Sequence, residues 1–414
     1  IASCLVGSEM CIRDRYNNFY YIPQSELHGQ FDMKGSAAEP YKECPAKATG
    51  NNRFDAYPNI TDWYETVKLN YGVDYQNGGT CHFNPTPDTW TKMLDILLFW
   101  ADKNIDGFRC DMAEMVPVEF WEWVIPQVKE KHPDLLFIAE VYNPAEYQNY
   151  IFRGKFDYLY DKVGLYDTLR NVICGYDSAT AITRSWQSLG GIEKRMLNFL
   201  ENHDEQRIAS DFFAGNPRKA IPGLIVSACM NTNPMMIYFG QEFGELGMDS
   251  EGFSGRDGRT TIFDYRSVDT IRRWRNGGKF DGKMLTEDQK HIYSIYQRIL
   301  TLCNKEKAIT EGEFFDLMYA NANGWRFNEH KQYTFLRKAG KELLFIIVNF
   351  DHISVDVAIN VPSHAFDFLQ IPQMDIYPAV DLLTGKTESI SLLPYKATEI
   401  SVEGYSGKIL KIKL

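Results

Sequence analysis

The sequence lacks the features by which cofactor-dependent, nucleic-acid-binding and membrane-spanning proteins are most easily recognised. It contains no glycine-rich phosphate loop, no HExxH motif and no EF-hand loop. No apolar run approaches the roughly 20 residues that span a bilayer. Lys and Arg number 44 against 55 Asp and Glu, and the net charge of −11 argues against a nucleic-acid partner. We therefore predict no cofactor, no membrane span and no nucleic-acid partner.

Cysteine is present, but not in a pattern that indicates a metal site or a disulfide framework. The eight cysteines include no CxxC pair and no metal-ligand spacing. Cys110 and Cys229 lie in apolar segments, where a free buried thiol is expected. The cysteine pattern does not decide between an oxidising and a reducing compartment, and it slightly favours reduced thiols.

Aromatic residues are abundant, with 24 Tyr, 26 Phe and 8 Trp making up 14% of the 414 residues. Sugar-binding clefts use such rings as stacking platforms, although most of these rings are expected in the core. The chain length predicts more than one domain, and 44% hydrophobic with 24% charged residues is typical of a soluble globular protein. These numbers leave the oligomeric state unknown.

Residues 1–15, which read IASCLVGSEMCIRDR, look foreign to the rest of the chain. They lack the basic start and the long apolar core of a secretory signal. They look like a translated adapter sequence, and the alternative is an ordinary flexible N-terminus. We exclude them from reasoning about the fold, and the localisation stays unknown.

Residues 16–88 are loop-like, and a regular alternation of elements follows them. A helix is expected over residues 89–103 because its apolar residues recur at helical intervals. Short buried strands separated by helices indicate a parallel sheet with crossover connections. Five such strands are expected, at residues 105–109, 135–141, 156–160, 196–200 and 235–240.

The last quarter of the chain follows a different pattern. A helix over residues 289–303, with Thr286 as its N-cap, is expected to close the α/β part. From about residue 311 strand-like alternation takes over and no long helix is evident. We predict that residues 306–414 form a small antiparallel β-sandwich domain.

Three carboxylates each lie just past a strand-like run. Asp111 follows IDGFRC, Glu140 follows LLFIA, and Asp204 follows MLNFLENH. Barrel enzymes keep their catalytic residues at the carboxyl ends of buried parallel strands. Glycoside cleavage requires two carboxylates that face each other across the scissile bond. The repeated placement therefore predicts a glycosidase site.

The three segments resemble, in the same order, the second, third and fourth conserved regions of the α-amylase superfamily, glycoside hydrolase family thirteen. The resemblance implies an α/β fold, a TIM (β/α)8 barrel whose strands four to eight are the five expected here, followed by the β-sandwich. The family's first conserved region, with an Asp and an Asn-His pair, has no match between Tyr16 and Gly107. A truncated copy is therefore expected, with a partial barrel over residues 16–305 that includes a loop-rich excursion over residues 16–88.

The resemblance also implies retaining cleavage or transfer of α-linked glucans and assigns a role to each residue. Asp111 is the expected nucleophile, and Arg109, on the same face of the strand, holds it ionised. Glu140 is the expected general acid/base, which apolar neighbours and nearby negative charge would keep protonated. His203 and Asp204 are expected to grip sugar hydroxyls and to stabilise the cation-like transition state.

Each of these residues has a structural alternative when it is taken singly. The alternatives are an Arg–Asp pair at a strand end, a Glu that merely begins a loop, and a buried histidine bonded to the backbone. Arg207 is expected to position the loop after Asp204. For Glu242, in a Gly-Gln-Glu segment that resembles a late family motif, a structural hydrogen bond and a substrate contact are equally open.

Two departures from the family pattern bear on metal binding and specificity. Many relatives bind calcium through a ligand from the first region, so we predict no metal for this chain, with calcium an option for a full-length parent. Where starch-cleaving relatives often have Lys-His, this chain has Glu114 and Met115. This departure puts plain α-amylase specificity in doubt and leaves maltogenic, transglycosylating and oligosaccharide-directed relatives open.

The rival hypothesis is a non-catalytic barrel that binds or scaffolds, or an inactive fragment of an enzyme. Barrel relatives with such roles typically lose catalytic carboxylates, whereas this chain keeps all three. The α-glucan substrate is therefore the partner that the sequence favours.

Overall fold

A computed structural model describes residues 12–249, 255–264 and 267–414. The chain divides into two compact units, Ile1–Leu159 and Tyr160–Leu414. Of the adapter-like segment predicted at residues 1–15, residues 1–11 lie outside the described residues.

The first unit begins with a loop-rich segment that carries little regular structure. Two short antiparallel pairs occur in it, with Tyr21 opposite Lys47 and Val73 opposite Cys81. A small core around the buried Tyr20 holds part of this segment together. Its strands are β1 (Tyr21–Ile22), β2 (Ala46–Lys47), β3 (Val73–Asp74) and β4 (Thr80–Cys81).

The remainder of the first unit alternates helices with parallel strands. The helix predicted at residues 89–103 is present, and it buries Trp90 and Leu97. The first two parallel strands pair in register, with Arg109 opposite Ile138. The elements are α1 (Asp88–Ala101), β5 (Gly107–Cys110), α2 (Val118–Lys131), β6 (Leu136–Ala139) and β7 (Tyr158–Tyr160), the last of which crosses the division between the units.

The second unit continues the alternation. The two strands of its α/β part are parallel to each other, with Asn198 opposite Met235. Thr286 Oγ1 accepts a hydrogen bond from the Gln289 amide at 3.2 Å, and this confirms the predicted N-cap. The elements are α3 (Asp167–Cys174), α4 (Thr180–Gln187), β8 (Met196–Phe199), α5 (Ile221–Cys229), β9 (Met235–Met236), α6 (Asp269–Arg275) and α7 (Glu287–Lys305).

The strand expected at residues 235–240 is shorter than its apolar run. It ends at Met236, and Gly240 adopts a φ of 86°, which an extended strand excludes. A 3-10 turn, Gln241–Phe243, follows directly. The prediction was wrong for these last residues because hydrophobicity alone does not reveal a left-handed turn.

The end of the second unit is antiparallel, with three short helices. A six-stranded sheet has the order β10-β11-β12-β17-β14-β15, and β13 pairs with β16. The elements are α8 (Lys307–Thr310), β10 (Glu313–Asp316), α9 (Met318–Asn321), β11 (Gln332–Ala339), β12 (Glu342–Asn349), β13 (Val355–Ile359), α10 (Ser363–Leu369), β14 (Met374–Asp381), β15 (Thr387–Leu392), β16 (Thr398–Val402) and β17 (Ser406–Lys413).

The coarse prediction, a parallel α/β part followed by an antiparallel β part, is confirmed. Cys110 and Cys229 are buried and free. In the part of the chain that the structure describes, no helix is long and apolar enough to cross a membrane.

Candidate active site

Asp111 lies directly after strand β5, where the chain leaves the sheet. Arg109 precedes it by two residues, and strand alternation places both side chains on one face. The Arg109 guanidinium forms an ion pair with the Asp111 carboxylate through Nη1. The Asp111 side chain is 63% exposed, so a ligand can reach its oxygens. The arrangement is that of an oriented, ion-paired and accessible carboxylate.

Glu140 directly follows strand β6, and its side chain is only 7% exposed. The other terminal nitrogen of Arg109, Nη2, lies 3.0 Å from Glu140 Oε1. The Tyr142 hydroxyl donates a hydrogen bond to Oε1 at 2.7 Å, and the Met112 amide donates to Oε2 at 2.8 Å. A single guanidinium therefore links the two carboxylates predicted to carry the chemistry.

The backbone between the two carboxylates is built around a left-handed residue. Met112 has φ 44° and ψ 43°, a conformation that is strained for a residue with a side chain. This turn directs the Met112 amide at the Glu140 carboxylate. The backbone amides of Ala113 and Glu140 also join the two strand ends, donating to the Glu140 and Cys110 carbonyl oxygens at 3.1 Å each.

The contacts of Tyr142 and Met112 were missed at the sequence level. Tyr142 could have been found, because it follows Glu140 by two residues and the alternation argument used for Arg109 applies to it equally. Met112 carried no signal, since left-handed turns are usually marked by Gly or Asn.

Glu114 contacts the loop that follows Glu140. Its Oε2 accepts a hydrogen bond from the Asn143 amide at 3.1 Å. At the position where starch-cleaving relatives often have the Lys of a Lys-His pair, this chain therefore has a carboxylate that contacts the protein backbone.

A cavity of about 230 Å³ adjoins Asp111 in the first unit. Met112 and Met115 form part of its wall. Lys68 also lines it, and burial lowers the pKa of this amine to about 8. The loop-rich segment supplies its aromatic lining, which consists of Tyr20, Trp63, Tyr71 and Tyr75.

His203 and Asp204 lie in the second unit, in the loop after strand β8. The Asn202 side-chain oxygen accepts hydrogen bonds from the backbone amides of Asp204 and Glu205 at 2.9 Å each, which forms a tight turn. His203 Nε2 lies 3.2 Å from Asp204 Oδ2, and the Asp204 side chain is 52% exposed. The turn thus presents Asp204 to solvent.

A buried ion pair anchors this loop. Arg207 Nη1 lies 2.8 Å from Glu201 Oε2, and both side chains are almost fully buried. Arg207 also donates to the Phe239 carbonyl oxygen at 2.9 Å, and its guanidinium lies 4.3 Å from the centre of the Tyr238 ring. Burial raises the pKa of Glu201, and the neighbouring Arg207 charge opposes this rise. These contacts support the positioning role predicted for Arg207, which stays a prediction.

Two further sequence predictions concern Glu242 and metal binding. Glu242 lies in the 3-10 turn after Gly240, and burial raises the pKa of its carboxyl. Within the described residues, no group of three or more His, Cys, Asp or Glu side chains is arranged to hold a metal ion. The absence of a resident metal or other cofactor stays a prediction.

Comparison with known proteins gives a family match over residues 82–312, more than half of the chain, to the alpha amylase catalytic domain. The chain is 35% identical over 92 residues to an alpha-1,4-glucan:maltose-1-phosphate maltosyltransferase of Cereibacter sphaeroides, covering 21% of this chain and 16% of that one. It is 34% identical over 202 residues to alpha-amylase MalA of Haloarcula japonica, covering 45% of this chain and 28% of that one. The matched region is thus less than a third of each relative's length.

Solved structures extend the likeness at the level of the fold. The maltogenic alpha-amylase AmyB from Thermotoga neapolitana matches with a TM-score of 0.58 at 20% identity, covering 84% of this chain and 68% of that one. The alpha-amylase from Geobacillus thermoleovorans matches with a TM-score of 0.60 at 17% identity, covering 85% and 67%. Together with the family match that contains all three carboxylate motifs, these findings show that the chain belongs to the alpha-amylase catalytic-domain family.

Proposed function

We propose that this chain is a retaining glycoside hydrolase or transglycosylase that acts on α-linked glucans. The observation that carries the proposal is the contact of one guanidinium, that of Arg109, with both Asp111 and Glu140. A single guanidinium can bridge two carboxyl groups only when they lie a few ångströms apart. Retaining enzymes place their two carboxyl groups about 5 Å apart, whereas inverting enzymes leave room for a water molecule.

In the proposed mechanism the exposed Asp111 attacks and the buried Glu140 transfers protons. An Asp111 carboxylate oxygen bonds to the anomeric carbon while Glu140 gives its proton to the departing glycosidic oxygen, whose bond to the sugar breaks. Glu140 then removes a proton from water or from an acceptor hydroxyl, whose oxygen displaces Asp111 and releases the sugar. Arg109 orients Asp111 for the attack through their ion pair.

Asp204 and His203 keep the roles that the family motif implies. We propose that they bind sugar hydroxyls and stabilise the positive charge that develops in the transition state. The exposure of Asp204 and the anchoring of its loop by the buried Glu201–Arg207 pair support this role.

The proposed substrate is an α-1,4-linked glucan, the class named in the matched maltosyltransferase. The aromatic lining of the cavity beside Asp111 supports a sugar ligand, because flat rings stack on the apolar faces of sugars. Glu114 and Met115 replace the Lys-His pair typical of starch-cleaving relatives, so we propose transfer to sugar acceptors alongside hydrolysis.

We further propose that the parallel strands β5 to β9 correspond to strands four to eight of the family barrel. Two placements support this correspondence: Asp111 follows the first of these strands and Asp204 follows the fourth. The proposed domain bounds remain 16–305 for the barrel part and 306–414 for the β domain.

The decisive experiment measures turnover and trapping with the full chain. Asp111→Asn should reduce turnover of maltoheptaose at least about a thousandfold, because no other group can form the glycosyl intermediate. A 2-fluoro glucosyl fluoride should label the wild-type chain, and peptide mass spectrometry should locate the adduct at Asp111. Asp95→Asn, an exposed residue on α1, is the matched control and should retain activity. Turnover that survives Asp111→Asn, or an adduct elsewhere, would reject the assignment.

A further inference from the structure

We propose that Glu114 is a positioning residue for the acid/base Glu140 and that it acts through Tyr142. This inference rests on the proposed function, because it requires Glu140 to transfer protons. Glu114 lies in the 3-10 turn Ala113–Met115, which follows strand β5. Glu140 and Tyr142 follow the neighbouring parallel strand β6. The proposal therefore concerns how the ends of two adjacent strands are held together.

The turn after strand β5 contacts both the Glu140 carboxyl group and the chain just beyond it. The Met112 amide, directly before the turn, donates to Glu140 Oε2 at 2.8 Å. Two residues later, Glu114 Oε2 accepts a hydrogen bond from the Asn143 amide at 3.1 Å. The acceptor is a carboxylate, which makes this bond stronger than one between neutral groups. The two contacts fix Glu140 and the start of its loop relative to the same turn.

Tyr142 lies between these fixed points and makes the contact that matters for the acid/base. Its hydroxyl donates to Glu140 Oε1 at 2.7 Å. On one side of Tyr142 the backbone is held by the buried Val141, and on the other side by the bond from Asn143 to Glu114. Asn143 is exposed, so packing does not take over the role of that bond. Loss of the Glu114 carboxylate should therefore loosen the Tyr142 hydroxyl.

The rest of the loop has anchors of its own, so Glu114 has a local role. The Asn143 side-chain oxygen accepts a hydrogen bond from the Ala145 amide at 3.1 Å. Further along, the Tyr150 hydroxyl donates to the Val116 carbonyl oxygen at 3.0 Å, which forms a second link to the segment after strand β5. Removing the Glu114 carboxylate should therefore affect the position of Tyr142 without unfolding the loop, and the melting temperature should stay close to that of the wild type.

The test measures kcat/KM of the full chain with an alkyl maltoside, whose leaving group needs a proton, and a nitrophenyl maltoside, whose leaving group needs little. Glu114→Ala should lower kcat/KM about fivefold with the first substrate and less than about twofold with the second. Glu114→Gln keeps an acceptor oxygen for the Asn143 amide, so it should stay within about twofold of the wild type with both. Glu130→Ala, which removes an exposed carboxylate on α2, is the matched control.

A double-mutant cycle tests whether Glu114 acts through Tyr142. In a Tyr142→Phe background, Glu114→Ala should add less than about twofold to the loss with the alkyl maltoside, because the hydroxyl that it positions is already absent. Three results would overturn the proposal: losses that multiply independently, an equal loss with both maltosides, and a Glu114→Gln variant as slow as Glu114→Ala.

The outcomes also separate this proposal from the proposed function. Absence of turnover of both maltosides by the wild-type chain would count against the proposed function. Wild-type turnover that Glu114→Ala leaves unchanged would overturn the role of Glu114 alone. If Glu114→Ala fails to fold, Glu114→Asp decides, because its shorter side chain retracts from the Asn143 amide. The same dependence on the leaving group is expected in that variant, and unchanged rates would contradict the proposal.

Discussion

Replacing Tyr142 with Phe removes one hydroxyl from the proposed acid/base and leaves the aromatic ring in place. That hydroxyl donates to Glu140 Oε1 at 2.7 Å, and a hydrogen bond to a charged acceptor contributes about 1.5–3 kcal/mol. The Met112 amide and Arg109 still contact the carboxylate, so we expect the lower end of this range. At about 1.4 kcal/mol per tenfold change in rate, the expected loss is about tenfold in kcat/KM for a substrate whose leaving group needs a proton.

The loss follows from what the tyrosine does to the position of the Glu140 carboxyl group. The hydroxyl fixes Oε1, and proton transfer to the leaving oxygen requires a carboxyl group held within hydrogen-bond reach. In Tyr142→Phe, kcat/KM should therefore fall about tenfold with a leaving group that needs proton donation. A purely structural role would lower the rate equally with every leaving group.

The assay compares two maltosides at the same pH. One has an alkyl leaving group that needs proton donation, and the other has a nitrophenyl leaving group that needs little. The loss should be clear with the first substrate and small with the second. Tyr57→Phe, at an exposed tyrosine of the same unit, is the control. An equal loss with both substrates, or no loss with the first in a variant that melts like the wild type, would refute the reasoning.

Two stability predictions concern buried or half-buried carboxylates in the second unit. Asp316 Oδ2 accepts hydrogen bonds from Thr183, Trp186 and Tyr333 at 2.6, 3.0 and 2.8 Å. Because Asp316→Ala leaves these donors unpaired, it should lower the free energy of unfolding in urea by about 3 kcal/mol, and a loss below about 1 kcal/mol would contradict this account. Burial raises the pKa of Asp161 from 3.8 to about 6, so the folded protein holds this proton more tightly than the unfolded chain does. The free energy of unfolding should therefore fall by up to about 3 kcal/mol as the pH rises from about 4 to 6. Asp161→Asn should flatten that dependence in melts followed across the pH range, and an unaltered dependence would show that another group causes it.

Features that depend on a few neighbouring residues were predictable from the sequence. The Arg109–Asp111 pair follows from the two-residue repeat of a strand, and the Thr286 cap follows from the residues at a helix start. The alternation of parallel strands and helices follows from local hydrophobic patterns. The carboxylate motifs identified the family for the same reason, since each motif is a short contiguous segment.

Tertiary structure alone decided the contacts that join distant segments. The surroundings of Glu140 were expected to be apolar and negatively charged, yet a guanidinium, a hydroxyl and an amide contact its carboxylate. The amide contact exists because Met112 adopts a left-handed turn, which its residue type does not announce. The Gly240 turn that ends strand β9 early and the cavity beside Asp111 were hidden in the same way.

The sequence by itself therefore determined the chemical groups, their order along the chain and the family, because these are properties of short segments. The tertiary structure decided which donors contact each carboxylate and where cavities lie beside aromatic rings. Such contacts depend on backbone turns and on the packing of segments that are remote in the chain, and local patterns of hydrophobicity do not encode them.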